Sequence, residues 1–126
     1  RFGPRPPEPQ PFMAALAELA EALARFGPFN FLLSDGAVLY AHCSTELHWV
    51  ERAYPFPVVS AIDSGEALEL GRLNHLDDRM AVISTRPLTT GEHWHAFSSG
   101  ELRMFSQGAV GVPDSHQPVP VLALAV

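Results

Sequence analysis

The sequence has no lysine, one cysteine and no long apolar run, and each shortage excludes something. A single cysteine, Cys43, cannot close an intrachain disulfide, so a disulfide framework is ruled out and an intracellular setting is favoured. No apolar stretch approaches the ~20 residues needed to span a bilayer. The opening RFGPRPPEPQ has nothing of a signal peptide, so the expected setting is cytoplasmic, with no membrane partner. All eight basic residues are arginines, placed singly along the chain against fourteen acidic residues, for a net charge of −6. No basic stripe exists to neutralise phosphates, so nucleic acid is not an expected partner.

What is present fits one globular domain. The chain has 126 residues, 47% of them hydrophobic and 17% charged, enough for a modest core and unlike a disordered chain. It begins without a methionine, inside a proline-rich irregular connection, as in a processed protein or a fragment of a longer one. Residues 1–10, with four prolines and a glycine, read as a linker.

A helix is expected from about Pro11 to Phe26. Phe12, Leu16, Leu19, Leu23 and Phe26 recur at steps of four and three as one apolar stripe, and Gly27-Pro28 is a stop. FNFLLSDGAVLYAHCST then reads as a hairpin on a two-residue type I′ turn at Asp35-Gly36. That register sets Ser34 against Ala37, Leu33 against Val38, Leu32 against Leu39 and Phe31 against Tyr40. One face carries Phe29, Phe31, Leu33, Val38, Tyr40 and His42, the other Leu32, Ala37, Leu39, Ala41 and Cys43. Both faces are apolar, whereas antiparallel sheets commonly leave one face in water.

LHWVERAYPFPVV (47–59) reads as a further strand, EALEL (66–70) as a short edge strand, and MAVISTR (80–86) as another two-faced strand. WHAFSSGELRMFSQG (94–108) suggests a last hairpin turning at Ser98-Ser99-Gly100, and 109–126 an extended tail along a surface or a partner. A helix followed by antiparallel strands is an α+β pattern. One helix covers one sheet face, and too few strands remain to cover the other, which points to half of a larger layered domain.

FNFLLSDG, LYAHCST, LHWVERAYPF, DDRMAVISTRPLT and GEHWHAF with GELRMFSQG resemble, in order, the C-terminal half of a class II glutamine amidotransferase, closest to the short bacterial stand-alone branch. The resemblance covers 11–108. It implies the N-terminal-nucleophile hydrolase fold, a four-layer αββα sandwich of which this chain would be the C-terminal half. It also implies a small-molecule amide substrate such as glutamine, with ammonia released through an N-terminal cysteine and no cofactor. The family's nucleophile, oxyanion-hole and substrate-recognition residues lie in the other half and match no position here, so the resemblance places no catalytic residue in this chain. The expected partner is that N-terminal half or an identical chain. A non-catalytic module that closes its sheet by oligomerising, and a γ-glutamyl amide hydrolase, are the alternative readings.

The candidate site residues weigh mostly toward structure. Cys43 ends a hairpin strand without the free amine of the family nucleophile, which makes it a packed thiol. His42, Cys43 and His48, or His93 and His95, suggest metal ligands, but zinc needs three or four, so no metal is expected. Thr89 and Glu92 stand at capping-box spacing, with Trp94 as anchor of the turn and a ligand contact as the rival role. Arg86, before Pro87, reads as a solvated or ion-paired arginine just past a strand, with carboxylate binding as the rival role. Asp77 and Asp78 point to opposite sides of an extended chain and read as a solvated turn. No binding residue is asserted.

Overall fold

A computed structural model describes residues 3–5, 7–73, 75–111 and 122–123. Its helix is α1 (Pro9–Ala24), and a 3-10 turn spans Leu70–Leu73. The strands are β1 (Phe31–Ser34), β2 (Leu39–His42), β3 (His48–Ala53), β4 (Val58–Ala61), β5 (Ala67–Glu69) and β6 (Arg79–Ser84). They continue with β7 (Thr89–Thr90), β8 (His95–Ala96), β9 (Leu102–Ser106), β10 (Ala109–Val110) and β11 (Leu122–Ala123). Among the described residues three sheets result: A in the order β1-β2-β9-β10, B in the order β11-β6-β3-β8, and C in the order β5-β4-β7. The described pairings are antiparallel apart from β11 on β6. The class is α+β, as the sequence pattern indicated. Among the described residues no helix is long and apolar enough to cross a membrane. Of the extended tail expected over 109–126, residues 112–121 and 124–126 lie outside the described residues.

The helix starts two residues earlier than expected, because proline is tolerated in the first turn, where an N–H has no helical acceptor anyway. Beyond Ala24 the chain tightens through Phe26 N–H to Leu23 O at 2.9 Å and Gly27 N–H to Ala24 O at 3.3 Å. The buried line differs from the expected stripe. Leu16 and Ala20 are buried, flanked by Phe12 and Met13, while Leu19, Leu23 and Phe26 are 51%, 40% and 90% exposed. At 100° per residue, positions 19 and 20 fall on opposite sides of the line through Leu16, and the sheet takes the Ala20 side. α1 lies on Tyr40 of sheet A and on Val38 just before β2, with the Phe12 ring edge-on to Tyr40 at 5.0 Å.

The first hairpin forms with another register. Ser34 pairs with Leu39, Leu33 with Tyr40, Leu32 with Ala41 and Phe31 with His42, leaving a four-residue loop instead of two. A type I′ turn needs positive φ at both central residues. Gly36 has it (+96°), but Asp35 does not. Its carboxylate instead accepts the N–H groups of Ala37 and Val38 at 2.9 and 2.8 Å, an Asx-type closure. Each partner shifts by two residues, so the division of side chains between faces survives.

Both faces are indeed covered. On the side away from α1, Leu39, Ala41, Cys43 and Phe105 of sheet A meet Leu47, Trp49, Ala81 and Ile83 of sheet B, with Phe97 at the edge. Full burial contributes about 1.5–3 kcal/mol for each Leu, Ile and Phe among them, so the inter-sheet layer is the main core. The second sheet was missed because the expected strands divide differently. The chain leaves β3 at Ala53 and resumes as β4 in sheet C, so 47–59 is two strands, not one. β5 does lie at an edge of sheet C, as EALEL suggested.

The expected hairpin over 94–108 is not formed. β8 pairs with β3 in sheet B and β9 with β2 in sheet A, so Ser98-Ser99-Gly100 carries the chain between sheets. The actual hairpin is β9-β10, turning at Gln107-Gly108, both with positive φ (51° and 73°). A Cβ on Gly108 would stand 2.5 Å from the Arg79 carbonyl carbon, so glycine is needed for conformation and for close approach.

Candidate functional site

Cys43 lies where the chain crosses from sheet A to sheet B. Its N–H donates to Glu101 O at 2.9 Å, and its carbonyl accepts from Gly100 N–H at 2.7 Å, extending the β2-β9 ladder. Asn30 fixes the next residues: its carbonyl accepts from Ser44 N–H at 2.8 Å and its amide donates to Glu46 O at 2.9 Å. Cys43 is fully buried in the inter-sheet core. Burial pushes its thiol pKa up, reinforced by the charges of Glu101 and Glu46, which is the opposite of nucleophile activation.

The histidines do not converge on it. His42 points to the α1 side of sheet A, stacked on Phe29 and Phe31 at 5.0 and 5.2 Å. Burial pulls its pKa down, partly offset by a bond to the Phe29 backbone. His48 Nδ1 meets Thr85 O at 2.9 Å on the outer side of sheet B. His93 and His95 stand edge to face at 4.5 Å, but only His95 is in a strand, and its ring stacks on Trp49 at 4.8 Å. The Arg103 guanidinium lies 4.5 Å from the Trp49 ring centroid. Among the described residues no group of three or more His, Cys, Asp and Glu could hold a metal ion.

Asp78 closes a turn, accepting His75 N–H at 2.7 Å and donating its own N–H to His75 O at 3.0 Å. Arg86 is just past β6, exposed, with its Nε 3.8 Å from a Glu46 carboxylate oxygen. Arg86, Glu46 and Ser84 line an open cavity of about 560 Å³ at one end of sheet B.

Thr89, Glu92 and Trp94 do come together, around a residue the sequence reading passed over. Arg52 Nε and Nη2 donate to the two Glu92 carboxylate oxygens at 2.8 and 2.6 Å. Thr89 Oγ1 donates to Glu92 Oε2 at 2.6 Å and accepts from Trp94 Nε1 at 3.0 Å. The capping-box expectation is therefore corrected: the Thr89 hydroxyl bonds side chains rather than backbone, because a buried arginine competes for the same carboxylate. The Arg52 and Glu92 side chains are 9% and 5% exposed. Burial alone would raise the Glu92 pKa, but the bonds from Arg52 and Thr89 and the guanidinium charge outweigh it and hold it below the ordinary range. The signal for Arg52 was its place among Val50, Met80 and Val82 on the outer face of sheet B. An arginine on an apolar strand face needs an acidic partner.

Above this network, between sheets B and C, lies a cavity of about 410 Å³ lined by Arg52, Thr89, Val82, Leu68, Ala61, Ile62, Asp63, Pro87 and Leu88.

The model of one protein family, described as "Glutamine amidotransferases class-II", matches residues 1–121. The chain is 41% identical over 93 residues to "Putative glutamine amidotransferase YafJ" of Escherichia coli, covering 74% of this chain and 36% of that protein. It is 36% identical over 107 residues to a "Putative glutamine amidotransferase" of Haemophilus influenzae, covering 85% of this chain and 36% of that protein. The crystal structure titled as a "predicted glutamine amidotransferase" from Pseudomonas aeruginosa PA01 superposes with a TM-score of 0.68 at 28% identity. That superposition covers 87% of this chain and 44% of the other. The chain thus spans about a third of the length of the curated relatives it matches.

Proposed function

The chain belongs to the class II glutamine amidotransferases, and from that premise we propose that it is the scaffold half of an amidohydrolase domain whose nucleophile comes from residues outside these 126. The observation that carries the reading is the burial of Cys43, the chain's one cysteine, at the centre of the inter-sheet core. Its thiol is a packing group with a raised pKa, in no position to meet an amide.

In the proposed reaction an N-terminal cysteine thiolate attacks the side-chain amide carbon of glutamine. The C–N bond breaks, ammonia leaves with the proton that the cysteine's own amine has taken up, and a glutamyl thioester remains. Water then cleaves the C–S bond and releases glutamate. Backbone donors stabilise the oxyanion of each tetrahedral intermediate. The part of this chain is to hold the stacked sheets at whose end the nucleophile sits. In the complete αββα arrangement α1 is one member of an outer helix layer. The setting is cytoplasmic, and the partner is the N-terminal half of the same domain.

A second reading, an interaction module, is favoured by one observation: the exposed ridge Leu19, Leu23 and Phe26 on α1. The surface to be closed is this ridge rather than a sheet face, since sheet A is covered on both sides.

Glutamate release from glutamine tests both. The 126 residues alone are expected to release none, and a longer polypeptide containing them and a cysteine-bearing N-terminal half is expected to be active with Cys43→Ala as with Cys43. Loss of activity in a folded Cys43→Ala protein would sink the first reading. An inactive longer polypeptide, with the 126 residues forming a defined dimer by light scattering, would favour the second.

A further inference from the structure

We propose that the cavity between sheets B and C binds a small neutral molecule with an apolar body and a carbonyl or amide acceptor. The cavity's volume, about 410 Å³, falls in the range of small-molecule pockets, roughly 300–1,000 Å³. The walls are aliphatic, from Val82 of sheet B, Ala61 and Leu68 of sheet C, Ile62 just after β4 and Leu88 just before β7.

The polar groups set the class of ligand. Arg52 lines the cavity with its side chain more than nine-tenths buried. A guanidinium has five N–H donors. Nε and Nη2 each give one to Glu92, and Nη1 gives one to the Met80 sulfur at 3.6 Å. Nη1 and Nη2 each keep one further N–H beyond these bonds. Arg52 lines the cavity, so a ligand acceptor placed there can take them.

The acceptor is neutral because the charge is already matched. Glu92 neutralises Arg52, and Asp63 in the lining adds a further negative group. A ligand carboxylate would meet an arginine already paired with Glu92, in a cavity that Asp63 also lines, and would lose its hydration on entry. A ligand cation beside the buried guanidinium would have only the exposed Asp63 carboxylate to match it. A carbonyl group takes the spare N–H groups with neither cost, and the aliphatic walls take the apolar body.

The test is titration of the whole polypeptide carrying these residues with three probes of similar size, acetophenone, benzoate and toluene, followed by backbone amide NMR. Acetophenone is expected to shift the amides of Ile62, Leu68 and Val82 at saturable concentrations, with benzoate and toluene weaker by about tenfold or more, a factor that corresponds to ~1.4 kcal/mol. Two cavity-filling variants, Leu68→Trp and Ala61→Leu, are expected to abolish those shifts while keeping the dispersion of a folded protein; if one fails to fold, the other decides. The proposal is overturned if benzoate binds as well as acetophenone, if toluene matches it, if shifts map elsewhere or are absent, or if a folded cavity-filling variant still binds.

Discussion

Replacing Glu92 by glutamine keeps the shape of the side chain and removes its charge. In the protein that charge faces Arg52 through two hydrogen bonds, with both side chains under a tenth exposed. An amide still accepts one N–H and still meets Thr89, so packing is preserved. What is lost is the partner of a buried cation, and breaking a buried pair on one side costs about 3–5 kcal/mol. In a domain of this size that is a drop in Tm of roughly 10–20 °C. Urea unfolding at pH 7 measures it. The double variant Arg52→Met with Glu92→Gln removes the orphaned charge as well and is expected to recover most of the loss, because a buried pair as a whole contributes little over an apolar replacement.

The pH dependence supplies an independent check. The folded pKa of Glu92 lies below its ordinary value of 4.5, so as pH falls the unfolded chain takes up this proton first. The stabilisation is complete above the unfolded value and is lost as pH falls through the folded one. Glu92→Gln should therefore flatten the acid limb of the stability profile. A loss under about 1 kcal/mol at pH 7, or a double variant as unstable as the single one, would refute the reasoning that the pair is buried and matched.

Three further outcomes follow from the fold. Gly108→Ala combines positive φ with a Cβ 2.5 Å from the Arg79 backbone, so a loss of about 2 kcal/mol or more is expected in denaturant melts; a neutral result would mean that β10 does not cross β6 there. His42 has a lowered pKa in the fold, so the unfolded state gains its proton first and stability falls as pH drops below about 6.5. Urea melts of His42→Phe at pH 7.5 and 5.5 should show that this part of the profile has gone. Phe26→Ser should change the stability of the 126-residue chain by no more than about 0.5 kcal/mol, as expected for a side chain 90% exposed. A loss above ~2 kcal/mol from the same change in a longer polypeptide would show the α1 ridge to be covered there.

The sequence by itself determined the local features. Apolar periodicity located α1 within two residues at each end, and the alternation of Met80, Ala81, Val82 and Ile83 assigned each to its side of sheet B. The two apolar faces of the first hairpin were legible because strand periodicity is insensitive to a shift of two residues, the size of the register error. The ordered motifs carried the family.

Only the tertiary structure decided what met what. Whether β8 turns back onto β9 or passes into another sheet depends on partners 46 to 66 residues away, in β3 and β2, which no local pattern encodes. The helix face was settled by the sheet beneath it, which took Ala20 in preference to the larger Leu19. Arg52 and Glu92 are forty residues apart, and the capping-box spacing of Thr89 and Glu92 suggested a local bond that the distant arginine displaced. Local propensity is worth tenths of a kcal/mol per residue, a buried charge several, so where they competed the long-range contact prevailed.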